Sequence, residues 1–377
     1  MKKVSVIFMF LCCFQIALSQ DKEVNFDQSY IQANNGQTTI EINEMQELVY
    51  LILALTETAN NPNIINQTTP YYQEILTDFK SFSSHEIVQA FDKELKTNLV
   101  NFILLPANAY GFKFEGEKIV ATNVYIFPAK GIGKFEVKEN PVLGYIDQLE
   151  DFSKKTKFRS FYKTHQAYYD SLKTAYKNFA AIENQKNWLE QKFDTSINSY
   201  RVLTSPLIGS INATHTFQDN GFKEILLFLP TIRSDKDWSA LFQKAMNTRI
   251  IFTEIDHNYV GPVSEKNSDK INSIFDKRHI WVDETNKGTA HYPTPIKIFD
   301  EYLTWGLFVL YAYDTFENNS EVLEQSIQNV NDVMVNKRGF IKFKEFNEFL
   351  LNLYQKNKGK KIETLYPLLL EWSSKQL

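Results

Sequence analysis

Apolar and polar positions recur along most of this chain with helical spacing. From Asn43, a residue suited to a helix cap, Met45, Leu48, Val49, Ile52 and Leu55 form one apolar stripe, which Asn60-Asn61-Pro62 ends. Pro70 opens a short helix through Phe79, and Ser84 caps another with Ile87, Val88 and Phe91 inward. Residues 119–127 alternate loosely and predict a strand. Residues 141–193 predict two or three helical pieces, with Tyr168, Tyr169, Tyr176 and Phe179 on a broad apolar face. Residues 199–217 and 222–232 predict two strands joined at Asp219-Asn220-Gly221, a strong hairpin signal. Asp235 or Asp237 then caps a return to helical spacing. Residues 298–316 predict a strongly apolar helix, and 320–335, 344–354 and 360–372 three amphipathic ones. Residues 20–39 read as a polar arm, with one short edge strand at 39–42.

This order predicts an α+β fold that is predominantly helical. An arm and helices occupy 20–83, a sheet-containing subdomain 84–262 and a helical C-terminal subdomain 263–377. A small antiparallel sheet followed directly by a helix with metal-type residues is the order of a zinc-metallopeptidase-like core. The 30 Phe and 19 Tyr fit a well-packed interior better than a ligand-stacking cleft. A net charge of −4 offers no basic footprint, so nucleic acid is not an expected partner.

Residues 1–19 read as a secretory signal. Lys2 and Lys3 precede a short apolar run, and Ala17-Leu18-Ser19 places small residues for cleavage before Gln20. The expected location is secreted or periplasmic. The run is too short for a retained membrane helix, so no stable membrane insertion is expected after cleavage. Both cysteines, Cys12 and Cys13, lie inside this segment. The mature chain then has no disulfide and no thiolate ligand, and a metal site must use His, Asp and Glu.

The chemistry concentrates in residues 250–262, IIFTEIDHNYVGP. Ile251, Ile255 and Tyr259 recur every four residues. Thr253, Glu254 and His257 project from another side of the same helix, and Gly261-Pro262 supplies a stop. The pattern is close to the zinc-hydrolase helix HExxH, with Thr253 at the first His position. Downstream, Glu301 heads an otherwise apolar helix beside Trp305 and Phe308, and a buried carboxylate there needs a cationic partner: a metal ion or an arginine. The loop at 277–295, with His279, Trp281, His291 and Tyr292, is a candidate for substrate contacts.

FTEIDHNYVGP and the later FDEYLTWGLF, with PLIGS at 206–210, resemble a family of secreted, mainly Bacteroidetes proteins called domain of unknown function 4932. The resemblance covers roughly residues 84–316 and implies a peptidase-like protein of the Glu-ligand zinc class. It implies His257 and Glu301 as metal ligands and Glu254 as the general base on metal-bound water. His291 and Tyr292 are the candidates for stabilising the oxyanion. Zinc is the expected metal, with manganese or iron as alternatives, and a peptide or protein is the expected substrate or ligand. Thr253 leaves three outcomes open. The metal is absent and the protein is a catalytically inactive binding scaffold; or His215, His291 or Asp256 replaces the missing ligand; or Glu254 itself becomes a ligand. Asp256 otherwise reads as a supporting or capping group.

Overall fold

The computed structural model describes residues 22–132, 135–210, 212–316 and 318–377. The signal-like segment at 1–19 lies outside them. The fold is α+β and mostly helical, with a four-stranded sheet in the strand order Thr38–Glu41, Ser199–Ser205, Phe222–Pro230, Ala213–Asp219.

The sheet is mixed, which corrects the antiparallel expectation. Ser199–Ser205 runs parallel to both Thr38–Glu41 and Phe222–Pro230; only Ala213–Asp219 and Phe222–Pro230 pair antiparallel. The hairpin itself forms where its turn signal places it. Asn220 and Gly221 take φ of 50° and 76°, the left-handed pair that a two-residue turn requires. The strand expected over 199–217 is two strands. Pro206 cannot extend the ladder, and the Ser205 hydroxyl accepts the Leu207 N–H at 3.1 Å to turn the chain. Phe222–Pro230 lies in the sheet interior because both of its faces are apolar. Ile225, Leu227 and Leu229 join the core around the C-terminal helices, while Leu226 and Phe228 join Phe26, Tyr125 and Phe217 on the other side. The strand expected at 119–127 is shorter, Lys118–Ala121, in a hairpin with Phe112–Glu115.

Among the N-terminal helices, Asn43 caps Glu44–Ala54 by accepting the N–H groups of Met45 and Gln46 at 3.0 and 3.2 Å. Pro70–Phe79 starts at its proline under a Thr69 cap. The cap of Glu86–Thr97 is His85 rather than Ser84: its imidazole Nδ1 accepts the Ile87 N–H at 3.3 Å. Residues 146–192 form four helices, with breaks at Lys157, His165 and Ala181, the first and last at positive φ. Ser239, not Asp235 or Asp237, caps Ala240–Ile255.

The C-terminal part is organised around Pro295–Phe316, a 22-residue helix buried along most of its length. It packs against Ser268–Phe275, Ser320–Asp332 and Phe343–Lys356. Gly306 permits the last of these approaches, since a Cβ there would lie 2.6 Å from Leu350 Cδ2. The Tyr302 hydroxyl donates to the Trp281 carbonyl at 2.6 Å and accepts the Lys342 N–H at 3.0 Å. The first of these bonds ties the 277–295 segment to the helix carrying Glu301, and the second ties that helix to the start of Phe343–Lys356. Among the described residues no helix is long and apolar enough to cross a membrane.

Candidate functional site

The helix carrying the TExxH residues is interrupted at Asp256. Ala240–Ile255 ends one residue before His257–Lys266 begins, with Asp256 between them still in right-handed helical conformation (φ −69°, ψ −23°). Gly261-Pro262 does not stop it. Pro262 lies inside the restarted helix, past its first turn, where the missing N–H removes one bond and the chain still continues to Lys266. Because Asp256 stays helical, Arg249, Thr253 and His257 keep their four-residue spacing along one face.

That face opens on a cavity of about 740 Å³, lined by Asn212, Arg233, Arg249, Thr253, Glu254, His257, His291, Tyr292, Lys297, Asp300, Glu301, Trp305 and Arg338, among others. Glu254, His257, Glu301, His291 and Tyr292 therefore meet at one place. His215 does not. It sits on the strand next to Thr214, so its ring points through the other face, against Phe217 and Phe228, with Nε2 unpartnered. Asp256 is fully buried behind the helix, makes no capping bond, and has no hydrogen-bond partner on either carboxylate oxygen. Neither residue is placed to complete a ligand set.

Each cavity carboxylate has its own environment. Glu254 accepts Asn212 Nδ2 and Thr214 Oγ1, each at 3.2 Å; burial raises its pKa against these bonds. Glu301 is 5% exposed. It accepts the Trp305 indole N–H at 2.8 Å and a direct contact from the Arg338 guanidinium. Burial pushes its carboxyl up, while the Trp305 bond works against the rise. The His257 side chain is 43% exposed and lines this cavity. Burial, with the Arg338 charge adding to it, pushes its pKa down to about 4, so it is neutral at pH 7. His257 Nε2 stands 3.8 Å from Glu301 Oε2.

Arg338 is the residue that sequence reasoning missed. It follows a single π turn, Val333–Lys337, and its N–H closes that turn on the Val333 carbonyl at 2.9 Å. Gly339 then reverses the chain at φ +79°, with Asn286 so near that a Cβ would meet its side chain at 3.0 Å. The guanidinium so presented contacts Glu301 and donates to the Tyr292 hydroxyl. It also lies 5.0 Å from the centre of the Trp305 ring, and Arg249 lies 4.8 Å from the same ring.

The donor set for a metal can be read from these contacts. His257 and Glu301 face one another. The Thr253 hydroxyl donates to the Arg249 carbonyl at 3.1 Å, a bond within its own helix, and Glu254 is held by Asn212 and Thr214. The cation beside Glu301 is Arg338. Among the described residues no three His, Cys, Asp or Glu side chains converge as a metal would need. The residues present do not fit a zinc centre of the Glu-ligand type.

No family model matches the chain, and no curated protein or solved structure matches it significantly. The resemblance to the domain of unknown function family rests on the short motifs alone.

Proposed function

We propose that this chain is a binding protein on a peptidase-like helix pair, in which an arginine stands where a metal would be. The observation that carries this reading is the Arg338 guanidinium on Glu301. It supplies the positive charge that a buried carboxylate needs, from a group that cannot activate water. The cavity beside it is of the size that encloses a drug-sized molecule or a few residues of peptide. Its lining is strongly polar, so it selects a polar ligand.

A second reading, a metal-dependent hydrolase, draws on the 3.8 Å approach of His257 to Glu301 and on Glu254 in the same cavity. A fluorogenic peptide library, offered with and without added zinc or manganese, separates the two. Binding without catalysis predicts turnover at the level of the blank, unchanged in Glu254→Gln. Metal-dependent turnover abolished by Glu254→Gln would overturn it.

A further inference from the structure

The cavity holds more cations than its carboxylates balance. Arg338 is matched by Glu301. Glu254 is occupied by neutral donors, and Asp300 leaves Oδ1 buried without a partner, its carboxyl pushed up to about 6 by burial. Arg233, Arg249 and Lys297 line the same space, and none of the three pairs with a carboxylate among the described residues. Arg249 is the telling case. Its Nε is buried with no hydrogen-bond partner, and its guanidinium rests on the Trp305 ring. Burial, with the charges of Arg338 and Arg233, pushes it down to about 10. A partly buried guanidinium with an unpartnered Nε and no anion is unfavourable, and folding alone supplies no reason to keep it. Arg233 is also placed firmly. Asn247 accepts its backbone N–H at 2.9 Å and donates to its carbonyl at 2.8 Å, which fixes the end of the sheet against the TExxH helix.

Building on the binding reading above, we propose that the ligand carries an oxyanion, a carboxylate, phosphate or sulfate group, that docks on Arg249, with Arg233 and Lys297 at the rim. Guanidinium groups favour such anions because their N–H donors match two oxygens at once. The anion completes the charge balance of the cavity, and the remaining volume takes the body of the molecule.

Thermal unfolding of the full chain tests this, with inorganic phosphate, sulfate and succinate as probes, glucose and choline as neutral and cationic controls, and ionic strength held constant with sodium chloride. At least one oxyanion should raise Tm by about 2 °C or more near saturation. Which probe acts identifies the group. Arg249→Gln should abolish the rise and unfold, without ligand, at or above the wild-type temperature, since an uncompensated, partly buried charge has gone. Should that variant not fold, Arg233→Gln with Lys297→Gln, both exposed, should weaken the response several-fold. No response to any oxyanion, an undiminished response in Arg249→Gln, or a response to choline alone would overturn the proposal. Metal-dependent hydrolysis would overturn the binding reading instead, so the two failures are distinct.

Discussion

Replacing Arg338 by methionine asks whether a guanidinium balances a charged Glu301. Methionine keeps aliphatic bulk against Trp305 and removes the charge. Glu301 is then left with one neutral donor, the Trp305 indole at 2.8 Å, for a carboxylate that is 5% exposed. An ionised group there is too costly, so at pH 7 Glu301 takes up a proton. In the unfolded chain the same carboxyl titrates near 4.5. Holding it neutral from there to pH 7 costs about 3 kcal/mol, at roughly 1.4 kcal/mol per pH unit. The cost fades as pH falls toward 4.5, because the unfolded chain then carries the proton too. Urea unfolding of Arg338→Met should therefore show a loss of about 3 kcal/mol at pH 7 and under about 1 kcal/mol at pH 5. Adding Glu301→Gln should erase the pH-dependent part. Equal stability of wild type and Arg338→Met at both pH values would refute the reasoning, since Arg338 would then not be holding a charged carboxylate.

Two other buried groups give pH signatures of opposite sign. Glu47, 1% exposed, has one oxygen without a partner, and burial raises its pKa to about 7. The folded state then binds the proton more tightly than the unfolded state, so wild-type stability falls as pH rises from 4.5 to 7. Glu47→Gln should gain on wild type by about 3 kcal/mol across that interval in urea titrations, and a constant difference would discount the raised pKa. His215 is pushed down to about 4 by burial between its aromatic neighbours. Its contribution is present above 6.5 and lost as pH falls toward 4. Any advantage of His215→Leu should therefore be largest at pH 4 and shrink by up to about 3 kcal/mol by pH 6.5; an acid stability profile parallel to wild type would show that His215 is not held neutral.

Much of the local structure is legible in the chain because its signals are local. The Asn43 cap, the Asn220-Gly221 hairpin and the apolar helix after Pro295 each depend on residues within a few positions of one another. The mixed sheet is not legible in that way. Parallel pairing of Ser199–Ser205 with Thr38–Glu41 joins segments some 160 residues apart, and alternation says nothing about a partner's direction. The cavity divides likewise. Glu254 and His257 announce themselves by spacing, and Glu301 by its place at the head of an apolar helix. Arg249 also left a trace, standing four residues before Thr253 and eight before His257 on one helical face, but it lies outside the HExxH-like window. Arg338 left only the general requirement that a buried carboxylate have a cation. Its position depends on a π turn and a positive-φ glycine that the apolar spacing of 320–335 does not reveal. The break at Asp256 was hidden for a related reason: Gly261-Pro262 is the stronger stop signal, yet packing carries the helix through it.

The most direct measurement is metal stoichiometry. The chain, purified without chelator, is incubated with zinc or manganese, desalted and analysed by mass spectrometry, beside a Thr253→His, Arg338→Ala variant and a His257→Ala, Glu301→Ala variant. With Arg338 in the metal's place, the wild type should retain no metal at the cavity. Restoring the missing histidine while freeing Glu301 should let the first variant hold close to one zinc per chain. Near-stoichiometric metal in the wild type, lost when His257 and Glu301 are both replaced, would contradict the assignment of Arg338 as the cation of this site.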